Sequence, residues 1–322
     1  MKRSLVFVVL ATLAFCGAPF AQEFPNKPVR IISAFPSGRS PDFAARIVAE
    51  RLTKLWSQPV IVEPRPGANG FLAIGAVKTA PADGYTLLLA SNGHLSINPS
   101  LLRDIPYDAE RDFVPVSLLY RAPFFVYVSA TGPFRTIQDL VVAAKAAPQR
   151  ITYSTPYIGS PPHLGGATLA HLSGTEMLAV HFKEGAQIYT LVASNEISFT
   201  MATKASGAAL VRAGRLRMIA AATSNRIASE SDIPTIREAG GPEGVDLNSW
   251  VGLVAPRGVP ADVVRRIGAD IARALADPEL TERFRGLGVD PAPVASAEFA
   301  ALIRVDIMRN REVIKRVGIT PE

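Results

Sequence analysis

The stretch Val29-Arg30-Ile31-Ile32-Ser33-Ala34-Phe35-Pro36-Ser37-Gly38-Arg39-Ser40-Pro41-Asp42 decides how the fold is read. Residues 29–34 are a short apolar run, which predicts a buried strand. Ser37-Gly38 interrupt it, and a helix is predicted directly afterwards, over 42–55, where Ala44, Ile47, Val48 and Leu52 fall at helical spacing. A strand, a tight loop and a helix start bring free backbone N–H groups and the positive end of a helix dipole to one spot. That arrangement suits a carboxylate or a phosphate.

The same alternation continues outward, which is the α/β signature. A strand is expected at 59–62, a turn-rich loop over 63–70, a helix over 71–79, a strand at 86–90 and a further loop at Ser91-Asn92-Gly93-His94. Two apolar stretches, 114–120 and 123–128, read as strands that leave the first unit and cross to a second. The pattern then repeats: helix 136–147, strand 151–154, a loop opening helix 163–173, strand 177–182, a helix near 188–193, and strands at 196–201 and 216–222. Residues 250–255 return the chain to the first unit, and helices over 261–276 and 296–316 close it. Two α/β units joined by more than one crossing strand imply a hinge with a ligand cleft between them. The expected boundaries are 22–122 with 245–322 for one lobe and 123–244 for the other.

Composition narrows the classes. Of 322 residues, 48% are hydrophobic and 19% charged, so a packed core is expected. Met1-Lys2-Arg3, an apolar run over 5–15 and small residues up to Ala21 read as a cleavable secretory signal, too short to span a bilayer. The rival is a lipoprotein anchor at Cys16; bulky Phe15 before it favours a soluble secreted product. Cleavage after Ala21 removes Cys16, the only cysteine, so no disulfide is expected. It leaves 32 basic and 28 acidic residues, a net +4 that helps attract anionic solutes. Basic runs with interleaved aromatics are absent, which argues against nucleic acid.

Catalytic signatures are absent as well. There is no G-x-x-x-x-G-K-S/T, G-x-S-x-G or H-E-x-x-H, and Gly67-Ala68-Asn69-Gly70 lacks dinucleotide-loop spacing. His94, His163 and His181 lie on separate segments without metal spacing, so neither a metal nor a cofactor is expected. An enzyme with an unrecognised site remains the alternative from a different class.

Several motifs carry a resemblance. They are the opening Phe24-Pro25 with Lys27-Pro28-Val29-Arg30, then Phe35-Pro36 with Gly38, and Gln58-Pro59-Val60 with Arg65-Pro66-Gly67-Ala68. Ala82-Asp83-Gly84-Tyr85-Thr86-Leu87-Leu88, Asn98-Pro99-Ser100-Leu101 and Pro106-Tyr107-Asp108 follow. Ala213-Gly214-Arg215-Leu216-Arg217, Asp232-Ile233-Pro234-Thr235 and Ala255-Pro256 complete the series. From Phe24 onward the chain resembles the Bug family of periplasmic solute-binding proteins, the receptors of tripartite tricarboxylate transporters. The resemblance implies a two-lobed type II periplasmic-binding-protein fold, each lobe a sheet flanked by helices, with a hinge of crossing strands. It implies capture of a small organic carboxylate without chemistry, by a monomer that hands it to membrane permease subunits or, alternatively, serves a sensor kinase.

The residues that the resemblance places at the ligand are Phe35, Ser37, Gly38, Arg39, Ser40 and Asp42 in the first lobe. In the second they are Ser154, Thr155, Gly159, Ser160 and His163. Asn92, Gly93 and His94 face the cleft between. Arg39 reads as a guanidinium fork for the carboxylate or as a solvated loop residue, and Lys183 as a second anion partner or a surface lysine. Asp42 reads better as a helix cap or loop clamp than as a ligand contact. Phe35 suits an apolar ligand body or the core. The sequence departs from the family at Arg39, where a second glycine is usual, and at Pro161-Pro162, which have no N–H to offer an anion. It also departs at His181-Phe182-Lys183-Glu184-Gly185 and at Ala202, where an aspartate is usual.

Overall fold

β1 (Val29–Ser33) is apolar along both faces because both faces are covered. The structure is a computed structural model and describes residues 24–38, 40–156, 160–182, 185–227 and 230–318. The expected leader and Cys16 lie outside these residues. After β1 come α1 (Ser40–Trp56), β2 (Val60–Pro64), α2 (Phe71–Lys78) and β3 (Thr86–Ser91), with β2-β1-β3 side by side and parallel. The chain then turns helical through a π-type turn, Gly93–Ile97, and the short α3 (Asn98–Leu101), where the sequence suggested irregular loop.

β4 (Phe113–Ser129) is one continuous strand, not the two expected. The strand absorbs Pro115 at a register shift, and Pro123 falls where its pairing partners change.

Beyond β4 lie α4 (Ile137–Ala146), β5 (Thr152–Thr155), α5 (Pro161–Ser173), β6 (Leu178–His181), α6 (Gly185–Ala193), β7 (Phe199–Thr203), α7 (Lys204–Arg212) and β8 (Leu216–Ala221). Here β6-β5-β7 are parallel, repeating the arrangement of β2-β1-β3. β9 (Asn248–Pro256), α8 (Ala261–Leu275), α9 (Pro278–Gly286), β10 (Asp290–Pro291) and α10 (Ser296–Arg316) complete the chain.

The strand order is β2-β1-β3-β9-β4-β7-β5-β6, with β8 and β10 also on β4. The first part of β4 pairs with β9, and its last part with β7 and β8, so this strand is common to both ends of the sheet. At the β1 end, Val29, Ile31, Leu87 and Leu89 pack under α1 and α8, while Ile32, Leu88 and Ala90 face α2 and α10. At the β5 end, Phe124, Val126 and Val128 pack under α4, while Phe125 and Tyr127 face α6 and α7. Each end therefore has helices on both faces and a core on each side of its sheet.

Candidate functional site

Parallel strands with helices on both faces leave their carboxyl-end loops as the natural binding positions. At the β1 end, the loop after β1 and the loop after β3 are neighbours, because Ser33 is in register with Leu89. Gly38 has φ +79°, and its N–H donates to Asp42 Oδ2 at 3.1 Å. Asp42 is 2% exposed and takes a two-pronged contact from Arg46, one turn later on α1, at 3.0 and 3.1 Å. Its carboxylate is thus committed to the loop and its own helix, the clamp role expected for it. Ser37 is exposed and Ser40 partly so, and neither side chain has a hydrogen bond among the described residues. They are the donors this mouth presents.

Phe35 is half-buried and meets the ring of His94 edge-on, centroids 5.0 Å apart. The Ser91 N–H donates to His94 Nδ1 at 3.2 Å, which makes Nδ1 an acceptor and puts the proton of the neutral ring on Nε2. Burial pushes this imidazole down to about 4, so it is neutral at ordinary pH. The Tyr107 hydroxyl donates to the His94 carbonyl and holds the turn.

At the β5 end, Thr155 and His181 are the last residues of β5 and β6 and are in register. Thr155 Oγ1 lies 3.0 Å from Ser160 Oγ and 3.3 Å from His181 Nδ1. Ser160 caps α5, accepting the His163 N–H at 3.4 Å, and the rings of His163 and His181 meet edge-on at 5.1 Å. Burial lowers both imidazoles, and takes His163, which His181 lowers further, to about 4. Ser154, one residue earlier, is fully buried, and its hydroxyl has no partner among the described residues.

The segment after β3 meets α5. Asn92 and Ile97, from the turn after β3, line a cavity of about 150 Å³ together with Leu164, Gly165 and Thr168 of α5. Residues 244–248 and Arg309 and Val313 of α10 close it. A space of that size holds on the order of ten waters. Asn92 is nearly buried; its Nδ2 donates to the Asn248 carbonyl at 3.1 Å and its Oδ1 accepts from Ser249 Oγ at 3.1 Å. The side chain ties the first mouth to the start of β9.

Of the residues expected at the ligand, the structure gathers Phe35, Ser37, Gly38, Ser40, Asp42, Asn92 and His94 at the first mouth. It gathers Thr155, Ser160 and His163 at the second, above Ser154. Arg39, Gly159 and Lys183 lie outside the described residues. His181 is a further member of the second mouth, named by sequence reading as a possible donor but not placed among the ligand residues. Its place at the end of a predicted parallel strand was the available signal.

The comparisons with known proteins agree with this architecture. The model of the tripartite tricarboxylate transporter family receptor matches residues 44–319. A UPF0065 protein of Bordetella bronchiseptica is 33% identical over 321 residues, 100% of this chain and 95% of that protein. Among solved structures, R. palustris Rpa4515 with adipate matches with a TM-score of 0.81 at 30% identity, covering 93% of this chain and 100% of that one. MatC from Rhodopseudomonas palustris with bound malate matches with a TM-score of 0.76 at 26% identity, covering 90% and 100%. The chain belongs to the family of tripartite tricarboxylate transporter receptors.

Proposed function

We propose that this chain captures a small organic carboxylate in the periplasm and presents it, unaltered, to the membrane subunits of a tripartite tricarboxylate-type transporter. The observation that carries the reading is that the segment after β3 and helix α5, one from each parallel βαβ unit, meet: Asn92 and Ile97 line one cavity with Leu164, Gly165 and Thr168. In this reading a solute held between the two strand-end mouths is gripped from both ends of the sheet. In this reading residues 22–122 with 245–322 form one lobe and 123–244 the other, and the protein works as a monomer. The bound solute favours the closed arrangement because only there do both sets of donors reach it. Ser37, Gly38, Ser40 and Arg39 receive the carboxylate, each charge-assisted hydrogen bond contributing about 1.5–3 kcal/mol. Phe35 and His94 flank the solute body, and Thr155, Ser160, His163 and Lys183 meet it from the other side.

The family supports this reading, as do one structural relative seen with adipate and another with bound malate. Among the described residues no helix is long and apolar enough to cross a membrane, and no group of three or more His, Cys, Asp or Glu side chains is placed to hold a metal. The test is calorimetry of the purified protein with a panel of linear and aromatic carboxylates, followed by chromatography of the recovered solute. Saturable one-to-one binding and an unchanged solute are expected. Binding with turnover to product would replace the receptor reading by an enzymatic one.

A further inference from the structure

Four successive residues in the loop after β2 have left-handed backbones: Gly67 at φ +117°, Ala68 at +45°, Asn69 at +52° and Gly70 at +87°. Glycine adopts such angles freely. Ala68 and Asn69 do so under strain, which persists only where the surroundings enforce it. Two hydrogen bonds enforce it here: the Gly70 N–H donates to the Gly67 carbonyl at 2.9 Å, and Asn98 Nδ2 donates to the Asn69 carbonyl at 3.0 Å. Asn98 begins α3, directly after the π-type turn that carries His94, so the strained turn and the His94 segment are fastened to each other. Their contact is close. A Cβ on Gly70 would lie 2.3 Å from His94 Cδ2 and 2.8 Å from Nε2, nearer than a side chain can stand. The missing side chain at 70 therefore decides where the imidazole sits. The same ring meets Phe35 edge-on and has Nδ1 held by the Ser91 N–H. Ser33 is in register with Pro64 as well as Leu89, so the loop after β2 opens at the same sheet edge as the loops after β1 and β3.

We propose that the turn 67–70 is a third element of the first mouth and that Gly70 is its positioning residue: by leaving room for the His94 imidazole beside Phe35, it sets the wall against which the solute body lies. This rests on the receptor reading and adds to it a determinant of affinity outside the residues expected at the ligand. A methyl group at 70 unseats the ring, and the wall goes with it. Where His94 has been truncated to alanine, the same methyl has no ring to displace. The two substitutions are therefore coupled, and a double-mutant cycle separates the loss of the wall from the backbone strain of an alanine at φ +87°.

The experiment uses the unmodified protein, Gly70→Ala, His94→Ala, the double variant and Asn98→Ala, with melting curves to verify folding. The first readout needs no solute. Ring-proton NMR follows the histidines from pH 5 to 8, His94 being assigned by the signals that His94→Ala removes. In the unmodified protein this ring should stay neutral across the range, and in Gly70→Ala its titration should move into the range, toward the ordinary 6.5. The second readout is calorimetry with succinate, glutarate and adipate. For the acid that binds best, Gly70→Ala should lower affinity at least tenfold, but less than twofold when introduced into His94→Ala. Asn98→Ala loosens the turn without adding bulk and should move both readouts in the same direction, which keeps the test valid if Gly70→Ala folds poorly. A His94 titration unchanged in both variants overturns the proposal and leaves the receptor reading standing. So does a displaced ring with unchanged affinity, or an equal loss of affinity with and without the ring. Absence of heat from every acid in the panel overturns both.

Discussion

Asp42 and Ser154 are both buried polar residues at the mouths, and they have opposite energetics. Asp42 accepts from Gly38 and Arg46, so Asp42→Ala strands a backbone N–H and frees a guanidinium. A loss of about 1–3 kcal/mol in urea unfolding is expected, with weaker solute binding because the 35–38 loop loosens. Ser154→Ala removes a hydroxyl that has no partner among the described residues, so stability should stay level or rise by about 1 kcal/mol, with affinity unchanged. The histidines give a pH dependence whose sign follows from linkage. His94 and His163 are held at about 4 in the folded chain against 6.5 for an ordinary imidazole. The unfolded chain therefore binds more protons between those values, and stability rises with pH across that window and levels off above it. Unfolding free energies from urea titration at pH 5 should lie below those at pH 7, by an amount on the order of 1–2 kcal/mol per ring, and His94→Asn should flatten the slope. The clamp role of Asp42 was legible because an acid near a helix start accepts from nearby free N–H groups; the part of Arg46 was not. The burial of Ser154 was not. Strand alternation shows which residues share a face, but not where the mouth ends and the sheet floor begins.

At the scale of elements, strands and long amphipathic helices were readable because both rest on periodic burial. Ser296–Arg316 emerges with the bounds that its apolar spacing predicts. What escaped were α7 and α9. In α7, Gly207 looks like a helix breaker, yet a Cβ there would sit 2.5 Å from the Tyr127 ring, so the glycine is what lets the helix lie against β4. In α9, Asp277-Pro278 reads as a break between helices. It is in fact the start of one, with Asp277 Oδ1 accepting the Glu279 and Leu280 N–H groups and Pro278 at the first position. Glycine and proline mark loops only where nothing packs against them or caps a helix with them. The same physics predicts the outcome at Gly166 on α5. A Cβ there would lie 2.3 Å from Tyr153 Cε2, under the helix that carries His163. Gly166→Ala should force α5 off β5 and cost about 1–3 kcal/mol in thermal or urea unfolding. Gly174→Ala, with nothing near its Cβ but φ +62°, should cost less and leave the second mouth in place.

On the scale of the whole molecule, the proposed clamp needs something to hold the two ends of the sheet together besides the solute. Leu164 is the candidate. It follows His163 on α5, is 3% exposed, and packs with Ile97 and Leu101 from beyond β3 and Ile314 of α10. Close by, Asp246 accepts from Ser224 Oγ and Asn248 Nδ2 and faces Arg309 of α10 at 3.8 Å. Trp250 of β9 and Arg309 share Asp306, so α10 is braced against the returning strand and forms a firm wall for Leu164 to meet. An opened form exposes this apolar contact to water, whereas the closed form buries it, so truncating Leu164 weakens the closed state selectively. If Leu164→Ala removes about 1–2 kcal/mol of closure energy, binding that requires closure falls about 5–30-fold, although Leu164 is in neither donor set. Small-angle scattering of the solute-free variant should show a larger radius of gyration than the unmodified protein, and the two should coincide at saturating solute. An exposed residue of α10 away from the cavity gives a different pattern: for Arg311→Ala, affinity should stay within twofold. Unchanged affinity in Leu164→Ala, with only a lower melting temperature, would mean that the contact belongs to a rigid fold, and the closing of two lobes on a solute would lose its mechanical basis.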